Sequence, residues 1–263
     1  MTISRGEREA WRVSLQPAFM LHSRPYRDTS LLLELLTPEH GRISLVGKGT
    51  RRRSRGGSNS ALLQPFIPLL VSFSGKGELK NLNAVESAGS QVPLRGDRLF
   101  SAMYINELLM RLLHRHDPHP RLFSSYATTL DDMSQAQASD VVLRRFELLL
   151  LEELGYSFPL SEDGQTGDPI EPESWYHFHP DLGLLQRPEG TRNSSPAYHG
   201  ADLLRMAEGD FLGEVSLTAK RLMRQALANH LGDAPLKSRD LFRTGKPGAK
   251  PDTNTDTNLG SKP

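Results

Sequence analysis

Residues 13–86 consist of short runs in which apolar positions are grouped or alternate with polar ones, separated by turns rich in Gly, Pro and Asp. Runs of this length predict β-strands. Five are present, and they read VSLQPAFMLHS, TSLLLELLT, RISLV, LQPFIPLLVSFS and ELKNLNAVES. The second run, residues 29–37, is apolar enough to suit a helix as well, so periodicity alone leaves both structures open for it.

Five short strands with no insertion of helix length between them predict a small closed barrel, and the OB-fold has this strand count. Beyond residue 96 the apolar positions recur at helical spacing, which predicts helices over residues 97–116, 119–133, 139–155 and 216–232. The same spacing places Met103 on the apolar face of the first helix. Gly155 is a residue type that can end the third.

The change of pattern indicates an α+β chain in which an OB-fold β-barrel is followed by an α-helical domain. Residues 244–263 have almost nothing to bury and are expected to be disordered. The predicted division is a flexible N-terminus at 1–12, an OB-fold domain at 13–92, a helical domain at 93–243 with an irregular insert at 158–200, and a disordered tail at 244–263.

The formal net charge of +1 hides an uneven distribution. Residues 1–92 contain 13 Lys and Arg against 7 Asp and Glu, whereas the remainder contains 19 against 24. A surplus of cations on one part of a chain favours a polyanion-binding face there.

One lysine and four arginines occur between positions 48 and 55, next to the glycines at 47, 49, 56 and 57. Such side chains contact phosphates without reading base sequence. Because the run follows a strand of a barrel type that commonly binds single strands, we interpret it as a DNA-binding loop rather than a solvated basic run. Tyr26 could stack on a base or simply pack. The predicted DNA-binding residues are Arg24, Arg27, Lys48, Arg51, Arg52, Arg53, Arg55, Lys76 and Lys80.

The helical part carries three smaller basic clusters, in LRRFELLL, AKRLMRQ and KSRDLFR. In a region that is acidic overall, they could form one local pocket for an acidic peptide tail or for a second DNA path. The predicted peptide-binding residues are Arg144, Arg145, Lys220, Arg221, Arg224, Lys237 and Arg239.

Several chemistries are excluded or disfavoured. Gly47-Lys48 lacks the upstream glycine and the following Ser or Thr of a phosphate-binding P-loop. The chain has no cysteine, which excludes disulfides, thiolate zinc sites and cysteine nucleophiles. No nucleophile–base arrangement is recognisable, so we predict a protein that is not an enzyme and needs no cofactor or metal.

Two alternatives remain open at this point. His177 and His179 alternate on a predicted strand, and with His199 they could serve a metal-dependent hydrolase. An RNA-binding OB-fold protein is the other alternative. No apolar run approaches the length of a membrane span and the first residues lack the apolar core of a secretion signal, so a cytoplasmic protein is expected.

Several longer stretches resemble the bacterial RecO family of recombination mediators. They are AFMLHSRPYRDTSLLLELLTPEHGRISLVGKGTRR, LQPFIPLLVSFSGKGELKNLNAVES, MYINELLMRLL, LRRFELLLLEELGY and PLKSRDLFR. The resemblance spans residues 15–243 and implies an N-terminal OB-fold and a C-terminal helical domain. By position it assigns DNA binding to the basic residues of the 48–55 loop.

The resemblance also implies partners. It implies binding of single- and double-stranded DNA, annealing of complementary strands, and binding of the acidic C-terminal tail of single-strand binding protein. It implies cooperation with RecR in loading RecA, and hence a nucleoid-associated protein. Many members carry a four-cysteine zinc module after the LGY helix, where this chain has SFPLSEDGQTGDPIEPESWYHFH and no cysteine.

Overall fold

The computed structural model describes residues 11–50, 61–135, 139–188, 196–238 and 240–241. Its first part is a closed barrel, as the strand count predicted. The five strands are β1 Arg12–Tyr26, β2 Ser30–Thr37, β3 Gly41–Gly47, β4 Pro68–Ser74 and β5 Leu79–Ser87. They follow the order β1-β2-β3-β5-β4, and β4 closes the barrel by pairing with β1.

All pairs in the barrel are antiparallel except β3 with β5, where Leu45 is the partner of Lys80. One closed five-stranded sheet with a single parallel pair has the strand arrangement of an OB-fold. Inward-facing apolar side chains fill the interior, and they include Ala18, Met20, Leu33, Leu35, Ile43, Leu45, Leu69, Val71 and Phe73.

Strand β2 is buried on both faces, which explains why its sequence does not alternate. Leu33 and Leu35 point into the barrel, whereas Leu36 belongs to the core of the helical part. Phe19, Leu21 and Phe66 join Leu36 there. The barrel therefore contributes four large side chains to the helical core, and residues 30–37 are a strand rather than the helix that their composition also permitted.

The second part contains five helices and a small sheet among the described residues, so the predicted α+β class is confirmed. The elements are α1 Asp97–Leu112, α2 Pro120–Ser134, α3 Ser139–Glu153, β6 Trp175–His179, β7 Gly183–Gln186, β8 Tyr198–His199, α4 Gly200–Ala207 and α5 Val215–Leu231. In the part of the chain that is described, none of these helices combines the length and the apolar character of a membrane-spanning segment.

The prediction for Met103 was wrong. Met103 is 41% exposed, whereas Ala102, Ile105 and Leu109 are fully buried. The buried stripe of α1 follows the spacing 102, 105 and 109, and each residue turns the helix by about 100°. Met103, one position after Ala102, is thereby rotated off that stripe.

Gly155 ends α3 as predicted. Its φ of 77° lies in the left-handed region, which glycine adopts without a Cβ clash. The amide of Gly155 donates to the carbonyl of Glu152 at 3.0 Å, and that of Tyr156 donates to Leu151 at 2.8 Å. These two hydrogen bonds form a Schellman cap.

Two of the stretches that resemble RecO meet at α1. The Glu107 carboxylate accepts hydrogen bonds from the amides of Lys237 and Ser238, each at 2.8 Å, and from the Ser238 hydroxyl at 2.6 Å. Burial works to raise the pKa of Glu107, but the bonds from Ser238 and Lys237 outweigh it and lower the pKa. On another face of α1, the Asn106 amide donates to the Leu21 carbonyl of β1 at 3.1 Å. Helix α1 thus joins the barrel to the end of the described chain.

The insert at 158–200 contains the hairpin β6–β7, with β8 paired to β6 on its other side. A carboxylate and a backbone hydrogen bond tie the loop before this sheet to β7, where the Gly164 amide donates to the Leu184 carbonyl at 2.7 Å. Asp163 accepts hydrogen bonds from the amides of Gln165 at 2.9 Å, Thr166 at 3.1 Å and, on β7, Gln186 at 2.6 Å. Burial works to raise the pKa of Asp163, and these bonds lower it by more. The Asp163 carboxylate therefore ties this loop to β7.

Candidate nucleic-acid interface

The barrel has two open ends, which we call the upper and lower rims. The upper rim comprises residues 24–29 and 47–50. The lower rim comprises residues 11–12, 38–41 and 75–78. Strand β3 has seven residues and runs from the lower rim to the upper one, so the rims are about 20 Å apart at about 3.3 Å per residue.

Three of the predicted DNA-binding residues lie at the upper rim, where Arg24, Arg27 and Lys48 are all exposed. Strand pairing brings them together. Arg24 is opposite Leu32 on β2, and Leu32 is opposite Val46 on β3. The backbones of β1 and β3 are thus two strand spacings apart, or about 10 Å.

Arg51, Arg52, Arg53 and Arg55 lie outside the described residues. The chain leads into this segment at Thr50, whose hydroxyl donates to the Gly47 carbonyl at 2.9 Å. This bond closes the turn at the end of β3. The segment that holds the four arginines therefore begins at the upper rim, beside Arg24 and Arg27.

The last residue of β1, Tyr26, is the aromatic residue that the sequence analysis singled out among these cations. Tyr26 is half-buried, and the guanidinium carbon of Arg27 lies 5.2 Å from its ring centroid. A cation at this distance from an aromatic ring is attracted to it. Arg27 is held in this position with a φ of 52°, an unusual conformation for a residue with a side chain.

The structure separates Lys76 from the other predicted residues, because it lies in the β4–β5 turn at the lower rim, and the Lys80 ammonium reaches the same turn. Lys76 is exposed. Lys80 is only 7% exposed, and its ammonium donates to the Gly77 carbonyl at 3.1 Å. Burial lowers the pKa of Lys80, against the effect of Glu78. A single-stranded DNA molecule that contacted all the predicted cations of the barrel would have to extend from one rim to the other.

Between the rims, the outer face of β2 and β3 is covered by the chain that connects α1 to α2. Glu34 on β2 is 5% exposed and accepts hydrogen bonds from Ser44 on β3 at 2.7 Å and from Arg115 at 2.9 Å. The Arg42 guanidinium donates to the carbonyl of Met110. The middle of this face is therefore covered by protein.

Sequence reasoning missed this polar contact between barrel and helices. Its signal was Glu34, an acidic residue within the otherwise apolar SLLLELLT. A buried carboxylate needs a partner, and Arg115, 81 residues later, supplies one.

In the helical part, the predicted peptide-binding residues differ in accessibility. Arg144 is 4% exposed, and its guanidinium lies 2.7 Å from the carboxylate of Glu147, which is fully buried. The Tyr104 hydroxyl also donates to Glu147 at 2.7 Å. Arg144 is thus held inside the core. Arg145 is exposed and donates to the Gly209 carbonyl at 3.3 Å.

The basic residues of α5 form a surface together with an apolar side chain. Leu217 is 67% exposed, and Lys220, Arg221 and Arg224 follow it at helical spacing on the same face. Arg221 donates to the Ala197 carbonyl at 3.1 Å, so its guanidinium is already engaged within the protein. Lys220 and Arg224 are therefore the better candidates on this surface for contact with a ligand. Lys237 is exposed near the end of the described chain, and Arg239 is outside the described residues.

The histidines of the hydrolase alternative lie on the small sheet. His177 and His179 are on β6, and His199 is on β8 opposite Trp175. Among the residues that the structure describes, no three or more His, Cys, Asp or Glu side chains are arranged to hold a metal ion. The hydrolase alternative therefore gains no support from this sheet.

Comparisons with known proteins agree on one family. The family model described as recombination protein O N terminal matches residues 12–91, and the one described as recombination protein O C terminal matches residues 94–240. The chain is 47% identical to the DNA repair protein RecO of Methylococcus capsulatus over 89% of its own length and 94% of that protein. It is 42% identical to that of Nitrosospira multiformis, over 92% and 98%, and 46% identical to that of Stutzerimonas stutzeri, over 89% and 96%. The chain belongs to the RecO family of DNA repair and recombination proteins.

Proposed function

We propose that this chain is a non-enzymatic recombination mediator that binds single- and double-stranded DNA and anneals complementary strands. The observation that carries the proposal is the upper rim. Exposed Arg24, Arg27 and Lys48 lie there, at the point where the segment with four further arginines begins. The family's role in DNA repair favours DNA over RNA as the polyanion for these cations.

Annealing follows from the charge on the rim. Two single strands repel each other through their phosphates, and cations that bind both backbones reduce that repulsion. Because these contacts reach phosphates and not bases, the base edges remain free to pair. We assign this activity to residues 13–92 and the binding of partner proteins to residues 93–243.

Annealing is tested directly by mixing two complementary oligonucleotides that carry a donor and an acceptor dye. The protein is expected to raise the annealing rate above the spontaneous rate at low salt, and the gain is expected to shrink steeply as salt rises, because each neutralised phosphate of a single strand contributes about −0.7 to the log–log slope. The absence of any acceleration would contradict the proposal. Cleavage of the oligonucleotides would favour the hydrolase alternative.

The partner that we propose for the helical part is the acidic C-terminal tail of single-strand binding protein. Two features support it. Leu217 and Leu212 are 67% and 59% exposed, an unusual degree for leucine. Lys220 and Arg224 lie on the same face of α5 as Leu217. Apolar side chains beside cations match a peptide that is both acidic and hydrophobic.

Alanine at Leu217 or at Arg224 is expected to weaken binding of a labelled acidic tail peptide by about fivefold or more, since each variant removes one exposed anchor worth roughly 1 kcal/mol. Fluorescence anisotropy measures the change. Asn229→Ala, at another exposed position of α5, is the control and should leave the affinity unchanged. Equal affinities for all three variants would move the peptide site away from this helix.

Cooperation with RecR in loading RecA completes the proposal, and it rests on the family alone. It would place the protein on nucleoid DNA in the cytoplasm. Gel filtration of this chain mixed with RecR provides the check, with co-elution as the expected result and separate peaks as the result against it.

A further inference from the structure

The lower rim carries an exposed indole that nothing above assigns to a function. Trp11 is 43% exposed and immediately precedes β1. Its carbonyl accepts a hydrogen bond from the Gly75 amide at 3.1 Å, which fixes the backbone of Trp11 beside the β4–β5 turn. It is one of only two tryptophans in the chain.

Three neighbours fix the orientation of this indole. Its ring centroid is 5.3 Å from that of His40 and 5.7 Å from that of Phe73, both in edge-on arrangements. The ammonium of Lys80 lies 5.4 Å from the Trp11 ring. An aromatic surface that is held in place before a ligand arrives loses little conformational entropy when it binds.

The charge around Trp11 suits a phosphate chain. Arg12 follows Trp11 directly, and Lys76 follows Gly75, whose amide is bonded to Trp11; both cations are exposed. Lys80 adds a cation at the ring itself. The acids nearby are Glu78 and Glu39, both exposed. The β4–β5 turn and the start of β1 therefore present two exposed cations near an exposed aromatic, and the Lys80 ammonium is held at its ring. Single-strand-binding grooves use this combination of cations and aromatic side chains.

The other tryptophan has the opposite surroundings. Trp175 is 51% exposed and packs edge-on against His199, with centroids 5.0 Å apart. Residues 157–188, which contain it, hold six Asp and Glu against one Arg. A negative segment of this kind repels a phosphate chain, so Trp11 is the better candidate for contact with DNA.

We propose that Trp11 is a stacking platform for an unpaired base of single-stranded DNA, with Lys76 and Arg12 contacting the phosphates on either side. This inference rests on the DNA binding proposed above and adds a second contact to it. The strand would be held by phosphate contacts at the upper rim and by a stacked base about 20 Å away, at the opposite end of β3.

The test uses Trp11 as its own reporter. In a Trp175→Phe variant of the full chain, Trp11 is the only indole, and its emission is followed as unlabelled single-stranded oligonucleotide is added. Binding of the same oligonucleotide is measured separately by the anisotropy of a dye-labelled copy. Stacking is expected to quench the emission of Trp11 and to saturate at the same concentration as the anisotropy. A Trp11→Phe variant, which reports Trp175, should show no quenching.

Saturating anisotropy with constant Trp11 emission would overturn the stacking platform and leave DNA binding intact. Quenching of Trp175 in place of Trp11 would also overturn it. If no variant showed an anisotropy change, the proposed DNA binding would fail and this inference with it.

A second measurement separates stacking from charge. Trp11→Ala is expected to weaken binding by about fivefold or more, the range found for loss of one base–aromatic stack. Its salt slope should equal that of the wild type, because no phosphate contact has been removed. An oligonucleotide of abasic residues should bind both proteins equally. A Trp11→Ala variant that bound normal and abasic oligonucleotides as the wild type does would contradict the proposal.

Discussion

Alanine at Arg51, Arg52 and Arg53 is expected to reduce the salt slope of single-stranded DNA binding by about two, because each phosphate contact contributes about −0.7 to the log–log slope. At 0.1 M salt the same loss corresponds to an affinity about 100-fold lower. Anisotropy titrations of a labelled oligonucleotide at several salt concentrations measure both quantities. This is the largest effect on DNA binding that we expect from three substitutions in the chain.

The matched control removes the same charge elsewhere. Lys246, Lys250 and Lys262 lie beyond the residues that match the family models, and changing all three to alanine lowers the net charge by the same amount. This control should keep the wild-type slope. If both triple variants flattened the slope equally, net charge alone would govern binding and the 48–55 loop would have no special part in it.

Methionine at Arg144 is expected to destabilise the fold by about 3–5 kcal/mol, the usual cost of removing one partner from a buried ion pair. The guanidinium of Arg144 and the carboxylate of Glu147 lie 2.7 Å apart in the core. Without Arg144, the buried Glu147 carboxylate would lose its ion pair and retain the hydrogen bond from the Tyr104 hydroxyl. Urea unfolding at pH 7 measures the loss.

A double variant and a series of pH values test whether the unpaired Glu147 carboxylate causes the destabilisation. Arg144→Met with Glu147→Leu should recover most of the stability, because no buried charge is then left alone. Burial raises the pKa of Glu147, while Arg144 and Tyr104 oppose the rise. Removing Arg144 raises it further, and an acid whose pKa is higher in the folded state stabilises the fold at low pH and loses that effect as pH rises. The loss of unfolding free energy caused by Arg144→Met should therefore become smaller as the pH is lowered. A loss that did not depend on pH would point to lost packing as its cause.

The barrel strands could be predicted because each is a short apolar run between turn residues. For β2, the neighbouring strands decide between a strand and a helix. Residues 30–37 suit a strand or a helix alone, but a closed sheet needs a partner on both sides, and β2 pairs with β1 and β3. The pairing register between strands that are distant in the sequence could not be predicted. The parallel pairing of β3 with β5 places the β4–β5 turn, with Lys76, at the end of the barrel where β3 begins, and no local pattern encodes it.

Accessibility within a helix was equally hard to foresee. Arg144 and Arg145 are adjacent and chemically identical, yet one is buried and the other exposed, because successive residues differ by about 100° around the helix. The available signal was Glu147, three residues after Arg144, where an opposite charge can pair with it. Trp11 was missed because no pattern precedes β1. Its contacts are with His40 in the β2–β3 turn and Phe73 on β4, which are far from it along the chain.

The four barrel residues that lie in the helical core, Phe19, Leu21, Leu36 and Phe66, have a practical consequence. A fragment that stopped after β5 would present these side chains to water, at roughly 1.5–3 kcal/mol for each large apolar group uncovered. Such a fragment would be prone to self-association, and DNA affinities measured with it would not represent those of the full chain. The barrel and the helices are best regarded as one cooperative body, and loosening either half would weaken the other.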